Sequence, residues 1–458
     1  MHVRCFLCII PAAIFAAGAS ASASAETLQA APEQPLQAVL DRAQAGDVIE
    51  LAPGEYKGAI RIDRRLVLAG RPGAVLVGDG AGNVVTVISP DVTIRGVTIR
   101  GSGHDLQTMD SGIFLEKSAE RAVVENNRFE ANLFGVYVHG ATGSRVEHNI
   151  VEGVRGGRRN EAGNGVSLWN APDVTIADNI FRYGRDGIFT ISSRKDRFIN
   201  NRFEQVRFAV HYMYTNDSEV SGNVSVGNHV GYAIMYSTRL VIRDNISDRD
   251  RDYGLLFNYA NYSEIGGNLV AGGPLDNIAS SRDEGPDEER GMVPEARPAQ
   301  PAQSLRSGPE KCVFIYNANH NKFRDNWFEG CGIGVHFTAG SEGNEITGNA
   351  FVGNRNQVKY VGTRDLDWSK GGRGNYWSDN PAFDLDGDGI ADTAYRPNDL
   401  VDRVLWTAPA AKVLINSPAV QVLRWAQAQF PALYPGGVVD THPLIAPPPR
   451  PSASRSLR

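Results

Sequence analysis

Along most of this chain, apolar and polar residues alternate in short runs. GIFLEKS, GVYVHGA, GVSLWNA, GIFTISS, AVHYMYT, GYAIMYS, GLLFNYA and CVFIYNA each keep a period of two, the signature of a half-buried strand. Between these runs an asparagine recurs with an apolar residue one or two places after it. The column is Asn127, Asn149, Asn179, Asn201, Asn223, Asn245, Asn268, Asn326 and Asn349. Most successive spacings are 22 or 23 residues. A fixed period of short strands and turns predicts a solenoid; the 3.6 period of helical repeats and the leucine skeleton of leucine-rich repeats are absent, and propeller blades need about 40 residues. The expected fold is all-β, a right-handed parallel β-helix. Each coil contacts only its neighbours, and stacked asparagines hydrogen-bond along the axis.

The ends and interruptions follow the same logic. PLQAVLDRAQAGDVIELAPGEY reads as a short amphipathic helix and a strand, an N-terminal capping helix over core and strand edges that would otherwise lie open. LVLAG, AVLVG, VVTVIS and VTIRGVTI then build the early coils. Two spacings are long: 30 residues between Asn149 and Asn179, with GGRRNEAGN as the extra loop, and 58 between Asn268 and Asn326. The second insertion, residues 272–310, is charged, proline-rich and poor in large apolar residues, which predicts a disordered surface excursion. The β-helix is expected over residues 26–380, and a C-terminal extension with an Asp-rich loop and an amphipathic helix over 381–458. In SPAVQVLRWAQAQF, Ser417 is the expected N-cap and Pro418 the first helical residue. Val422, Leu423, Ala426 and Phe430 share one face, suited to covering the solenoid end or meeting a membrane partner. The Pro-rich end after His442 is expected to be loose.

Composition narrows the compartment. A net charge of -6 gives no polybasic patch for nucleic acid or membrane. His2 and Arg4, the apolar run Cys5 to Ala17, and Ala23-Ser24-Ala25 before Glu26 have the order of a secretory signal peptide, residues 1–25. A periplasmic protein is expected. Cys5 and Cys8 would leave with the signal; Cys312 and Cys331 remain and suit a disulfide between adjacent turns.

Alternation also sorts the side chains. Val136 and Val138, Val166 and Leu168, Val210 and Tyr212, and their equivalents point inward. The other columns point outward: Tyr137, Ser167, Phe189, His211, Ala233, Leu256 and Phe314, then His139, Trp169, Ile191, Met213, Met235, Asn258 and Tyr316. So apolar an outward face predicts a docking surface, with Tyr137, His139, Trp169, Phe189, Leu256, Phe314 and Tyr316 as its residues. Met213 and Met235 share one column on consecutive coils, and His211 stands two residues away on the same face. Thioether with imidazole suits Cu(I), which prefers soft donors. The competing reading is a methionine pair that only docks a partner. Tyr214, Tyr236 and His229 are candidates for a surrounding layer.

A second constellation is Asp384, Asp386, Asp388 and Asp392 in FDLDGDGIAD. With the Ile390 carbonyl they match the start of an EF-hand-type calcium loop, although Tyr395 replaces the usual glutamate at the twelfth position. The alternative is a solvated acidic turn.

Parallel β-helices often host polysaccharide enzymes, here a uronate lyase or epimerase. Such chemistry needs clustered carboxylates or a base, whereas the outward columns hold one acid, Glu116. Asp178, Asp244 and Asp325 share a turn column and read as turn formers. VHYMYTND, GYAIMYS, EKCVFIYNANHNKF, GGRGNYWSDNPAFDLDGDGIADTAYRPNDLVDRVLW and SPAVQVLRWAQAQFP resemble the NosD family, periplasmic accessory proteins of nitrous oxide reductase maturation, over nearly the whole mature chain. The resemblance implies a non-enzymatic scaffold that handles copper or sulfur for the copper-sulfur cluster of the reductase. Its implied partners are the ATPase and membrane subunits of an ABC transporter, a copper-donating lipoprotein chaperone and nitrous oxide reductase. It strengthens the copper reading of His211, Met213 and Met235. The acidic insertion is unlike the compact family pattern.

Overall fold

The computed structural model describes residues 25–156, 161–272, 308–362, 364–398, 400–407, 414, 417–430 and 437–451. The expected signal peptide and most of the acidic insertion lie outside them. Three parallel sheets wrap one apolar core, two of 13 strands and one of 12. The coil at Val123 is representative: Val123–Glu125 in the first sheet, Arg128–Asn132 in the second, Phe134–His139 in the third. Every strand pairs in parallel register with its counterpart one coil away, as Val136 does with Val166. The parallel β-helix expected from the repeat is the fold.

The asparagine column sits at the turn between the first and second sheets and forms one ladder. Each side-chain oxygen accepts from the backbone N–H of the asparagine one coil back, from Asn127 to Asn149 at 2.9 Å through to Asn349 and Asn375 at 3.1 Å. Buried polar groups are thereby satisfied inside the stack. Just before each rung the backbone turns left-handed, with φ of 56° at Asp178, 55° at Asp244 and 54° at Asp325. Aspartate, asparagine and glycine tolerate that conformation best, so these aspartates are turn residues. Across the 58-residue spacing the ladder is unbroken, because Asn268 donates directly to Asn326 at 3.1 Å.

Helix α1, Leu36–Arg42, buries Leu36, Val39 and Leu40 against the first coil and covers that end. At the other end, the first of the two uses expected for the amphipathic helix, covering the solenoid, falls to another segment. The tail, not the amphipathic helix, closes the core: Trp368 and Trp377 pack on Phe351, and Val438 and Asp440 are buried beside them. Of the end expected to be loose after His442, residues 443–451 are held, and the remainder lies outside the described residues. Leu444 donates its N–H to the Asn375 carbonyl at 2.9 Å, Ala391 donates to that of Pro443 at 2.7 Å, and Arg450 pairs with Glu329. Helices α2, Leu400–Thr407, and α3, Pro418–Gln429, pack on each other. Ser417 Oγ caps α3 by accepting from Val420 N–H. Its apolar residues turn outward, with Val422 63% and Phe430 59% exposed, while Gln427 faces in and accepts from Leu400 N–H. No described helix is long and apolar enough to cross a membrane.

The three longest connections within the coils, residues 101–110, 154–165 and 272–310, all leave at the corner between the second and third sheets. Insertions in repeat proteins gather on one face, often the binding face. At that corner the described residues Leu106 and Met109 pack against the Phe114 and Tyr137 cluster on the outer surface of the third sheet.

Candidate functional site

The outward columns of the third sheet stand in the expected register. Met213 is the direct partner of Met235, His211 of Ala233, and Met235 in turn of Asn258. Both methionines are half-buried on the outer surface, and the inward residues Val210, Tyr212, Tyr232 and Ile234 are fully buried. Neighbouring parallel strands lie about 4.8 Å apart, so the two thioethers belong to one patch with the His211 strand. Tyr214 and Tyr236 follow the methionines and stack at 5.0 Å, and Tyr259 continues the stack at 5.1 Å. His229 lies at the opposite end of its strand from Met235 and borders Asp252 instead.

One relationship escaped simple alternation. Ala209 occupies a column that is otherwise mostly glycine (Gly135, Gly165, Gly187, Gly231, Gly254), and a Cβ built on Gly187 would lie 2.2 Å from the Phe203 ring. This position therefore faces inward immediately before another inward residue, Val210. The alternation slips by one, and the first residue of each strand swings to the outer face. Asp186 and Phe208 thus join His211 outside. Asp186 is 1% exposed; its Oδ2 lies 3.1 Å from His211 Nδ1, and Arg207 forks onto it with Nε at 2.9 Å and Nη2 at 2.8 Å. Burial alone would raise the pKa of this carboxyl, but Arg207 and His211 outweigh it and hold the group well below the usual carboxylate range. The His211 ring packs against Phe189, tilted at 5.0 Å, and against Phe208, edge-on at 4.9 Å. Its Nε2 is buried and has no hydrogen-bond partner among the described residues. The glycine column was the available signal for the slip.

The rest of the face is more closed than an open docking surface. Tyr137 stacks on Phe114 at 5.2 Å, and both are buried with Leu106 and Met109 packed on them. Leu256 is buried among Val230, Ala233, Phe208, Tyr253 and Phe314. Phe314 and Tyr316 lie 6.3 Å apart, and His139 meets Trp169 edge-on at 4.6 Å. Trp169, 43% exposed, is the open member of the predicted set. Toward the C-terminal end the face turns basic: burial and the charges of Lys311 and Lys359 push His336 down to about 3.

Cys312 and Cys331 are joined as a disulfide across adjacent coils with Cα atoms 5.6 Å apart. In the acidic loop, carboxylate oxygens of Asp384, Asp386 and Asp388 lie within 4.8 Å of one another. Asp384 accepts from Gly387 and Gly389 N–H at 2.7 and 2.9 Å, Asp392 accepts from Leu385 N–H at 2.9 Å, and Ile390 donates its N–H to Asp388. Tyr395 at the twelfth position is turned away and donates to Asp379 at 2.8 Å.

Fold and site together define a parallel β-helix whose outer face carries soft metal donors beside a buried histidine-aspartate pair. The chain belongs to the NosD family. The family model described as "Periplasmic copper-binding protein (NosD)" matches residues 147–382. The "Probable ABC transporter binding protein NosD" of Stutzerimonas stutzeri is 40% identical over 396 residues, covering 86% of each chain. The protein of the same description from Pseudomonas aeruginosa strain PAO1 is 39% identical over 428 residues, covering 93% of this chain and 95% of its own. Among solved structures, the A-module of an Azotobacter vinelandii mannuronan C-5 epimerase superposes with a TM-score of 0.50. It is 12% identical and covers 71% of this chain and 91% of its own. That likeness concerns the fold alone.

Proposed function

We propose that this protein is a periplasmic scaffold that receives and passes on copper during maturation of nitrous oxide reductase, working beside an ABC transporter and turning over no substrate itself. The observation that carries the reading is the pairing of Met213 with Met235 on adjacent coils, with His211 on the same strand and face and its Nε2 unengaged. Two thioethers and an imidazole form a donor set for Cu(I), and the half-burial of the two methionines leaves the thioethers open to a cargo ion. The family description as copper-binding and the relatives' names as transporter-binding proteins support the copper and the transporter. A copper-donating lipoprotein and the reductase complete the proposed chain of partners. Paired-acid polysaccharide chemistry gains no support, because Asp186, the carboxylate nearest the site, is engaged by Arg207 and His211.

The acidic loop is proposed to bind calcium through Asp384, Asp386, Asp388, the Ile390 carbonyl and Asp392, a structural role at the solenoid end.

The copper reading is tested by titrating the full mature chain with Cu(I) against a chromophoric competitor. The wild type should bind about one equivalent tightly, and the Met213→Ala/Met235→Ala double variant should lose that binding. Unchanged affinity in the double variant would rule the site out.

A further inference from the structure

We infer that Asp186, locked by Arg207, is the positioning residue that fixes the tautomer of His211 so that the imidazole presents Nε2 to the metal. This rests on the copper reading above.

A neutral imidazole has one N–H donor and one lone pair, and an ionised carboxylate only accepts. Asp186 Oδ2 at 3.1 Å therefore places the proton on Nδ1 and leaves the lone pair on Nε2. The opposite tautomer would set the Nδ1 lone pair against a carboxylate oxygen. Arg207 approaches Asp186 through two nitrogens, a fork that fixes the plane of the carboxylate. Phe189 and Phe208 both pack against the ring. The result is an imidazole held at one nitrogen and empty at the other. A buried polar atom without a partner is uncommon and needs a reason. A lone pair reserved for a ligand supplies it, and carboxylates commonly orient metal-binding histidines in this way.

Two readouts test the inference. In the metal-free full chain with 15N-labelled histidine, two-dimensional NMR of the ring nitrogens should show His211 protonated at Nδ1 and bare at Nε2. An Nε2–H tautomer in the wild type would overturn the inference whatever the copper result. Cu(I) competition is then run on the wild type, His211→Ala, Asp186→Asn and the charge-neutral pair Asp186→Asn/Arg207→Gln. The last guards against misfolding from an Arg207 that has lost its Asp186 partner. Asp186→Asn should weaken Cu(I) binding by about 10- to 100-fold and shift the His211 tautomer population. If His211→Ala loses affinity while both Asp186 variants keep it within a factor of about two, well below that range, positioning by Asp186 is refuted and the ligand role of His211 stands. If His211→Ala binds as the wild type does, the ligand role itself fails.

Discussion

The backbone N–H of Asn375 donates to the Asp440 carboxylate at 2.7 Å, so a ladder that begins at Asn127 ends on a side chain from the tail. Asp440 Oδ2 also accepts from Trp377 Nε1 at 2.8 Å, and Asp440 is fully buried.

Removing that carboxylate should open the last coil. Asp440→Ala leaves the Asn375 and Trp377 donors buried without a partner, at about 1–3 kcal/mol each. The expected result is a lower melting temperature with a red-shifted tryptophan emission at temperatures below the main transition. A variant that melts as the wild type does would show that the tail is not part of the cap.

Stability should fall with rising pH because of Asp196. This residue is fully buried, and burial pushes its pKa from 3.8 to about 7 against the hydrogen bonds from Ser193 and Val174. The folded chain holds a proton that the unfolded chain has released, so the contribution is full below about pH 4 and lost as pH approaches and passes 7. Asp196→Asn keeps the acceptor for Val174 N–H and removes the charge. It should raise the denaturation midpoint at pH 8 and much less at pH 4.5; equal shifts at both would contradict the assignment.

The disulfide closes a loop with a sequence separation of 19 residues. Chain entropy predicts a contribution of about 3 kcal/mol. Cys312→Ala/Cys331→Ala should melt lower than the oxidised wild type and become insensitive to reductant. No difference between oxidised and reduced wild type would mean that the adjacent coils hold this corner unaided.

Calcium should stabilise the acidic loop. Millimolar Ca²⁺ is expected to raise the melting temperature of the metal-stripped chain by mass action, and Asp384→Asn/Asp388→Asn should abolish the increment. Superimposable curves with Ca²⁺ and with chelator would leave the loop as a solvated turn.

Much of this architecture was legible before any coordinates. The asparagine spacing marks the ladder, and the pairing of Met213 with Met235 follows from a 22-residue repeat in which strand register is set coil by coil. Other parts were not. Counting from Val210 with strict alternation puts Asp186 on no useful column, because the inward glycine position shifts the face by one residue. The open apolar surface expected from Tyr137 and Leu256 closes up. Tyr137 is buried because Leu106 and Met109 of the preceding connection pack on its cluster, and Leu256 because strand residues of neighbouring coils such as Val230, Phe208 and Phe314 surround it. For α3 the sequence left two uses open, covering the solenoid end or meeting a membrane partner; the tail takes the first, because an amphipathic pattern marks a face without saying what lies opposite it.

Periodic features lie in the chain itself, since a coil meets only the next coil and local repetition dictates the contact. Thus the solenoid, the inward and outward columns and the methionine pair can be read from residue order. The bond from His211 to Asp186, the closure of Asn375 by Asp440 and the outward turn of Val422 arise where the backbone departs from the repeat or where distant segments meet. Residue order alone leaves such contacts open, because each depends on a backbone direction that is chosen only when the surrounding coils have packed.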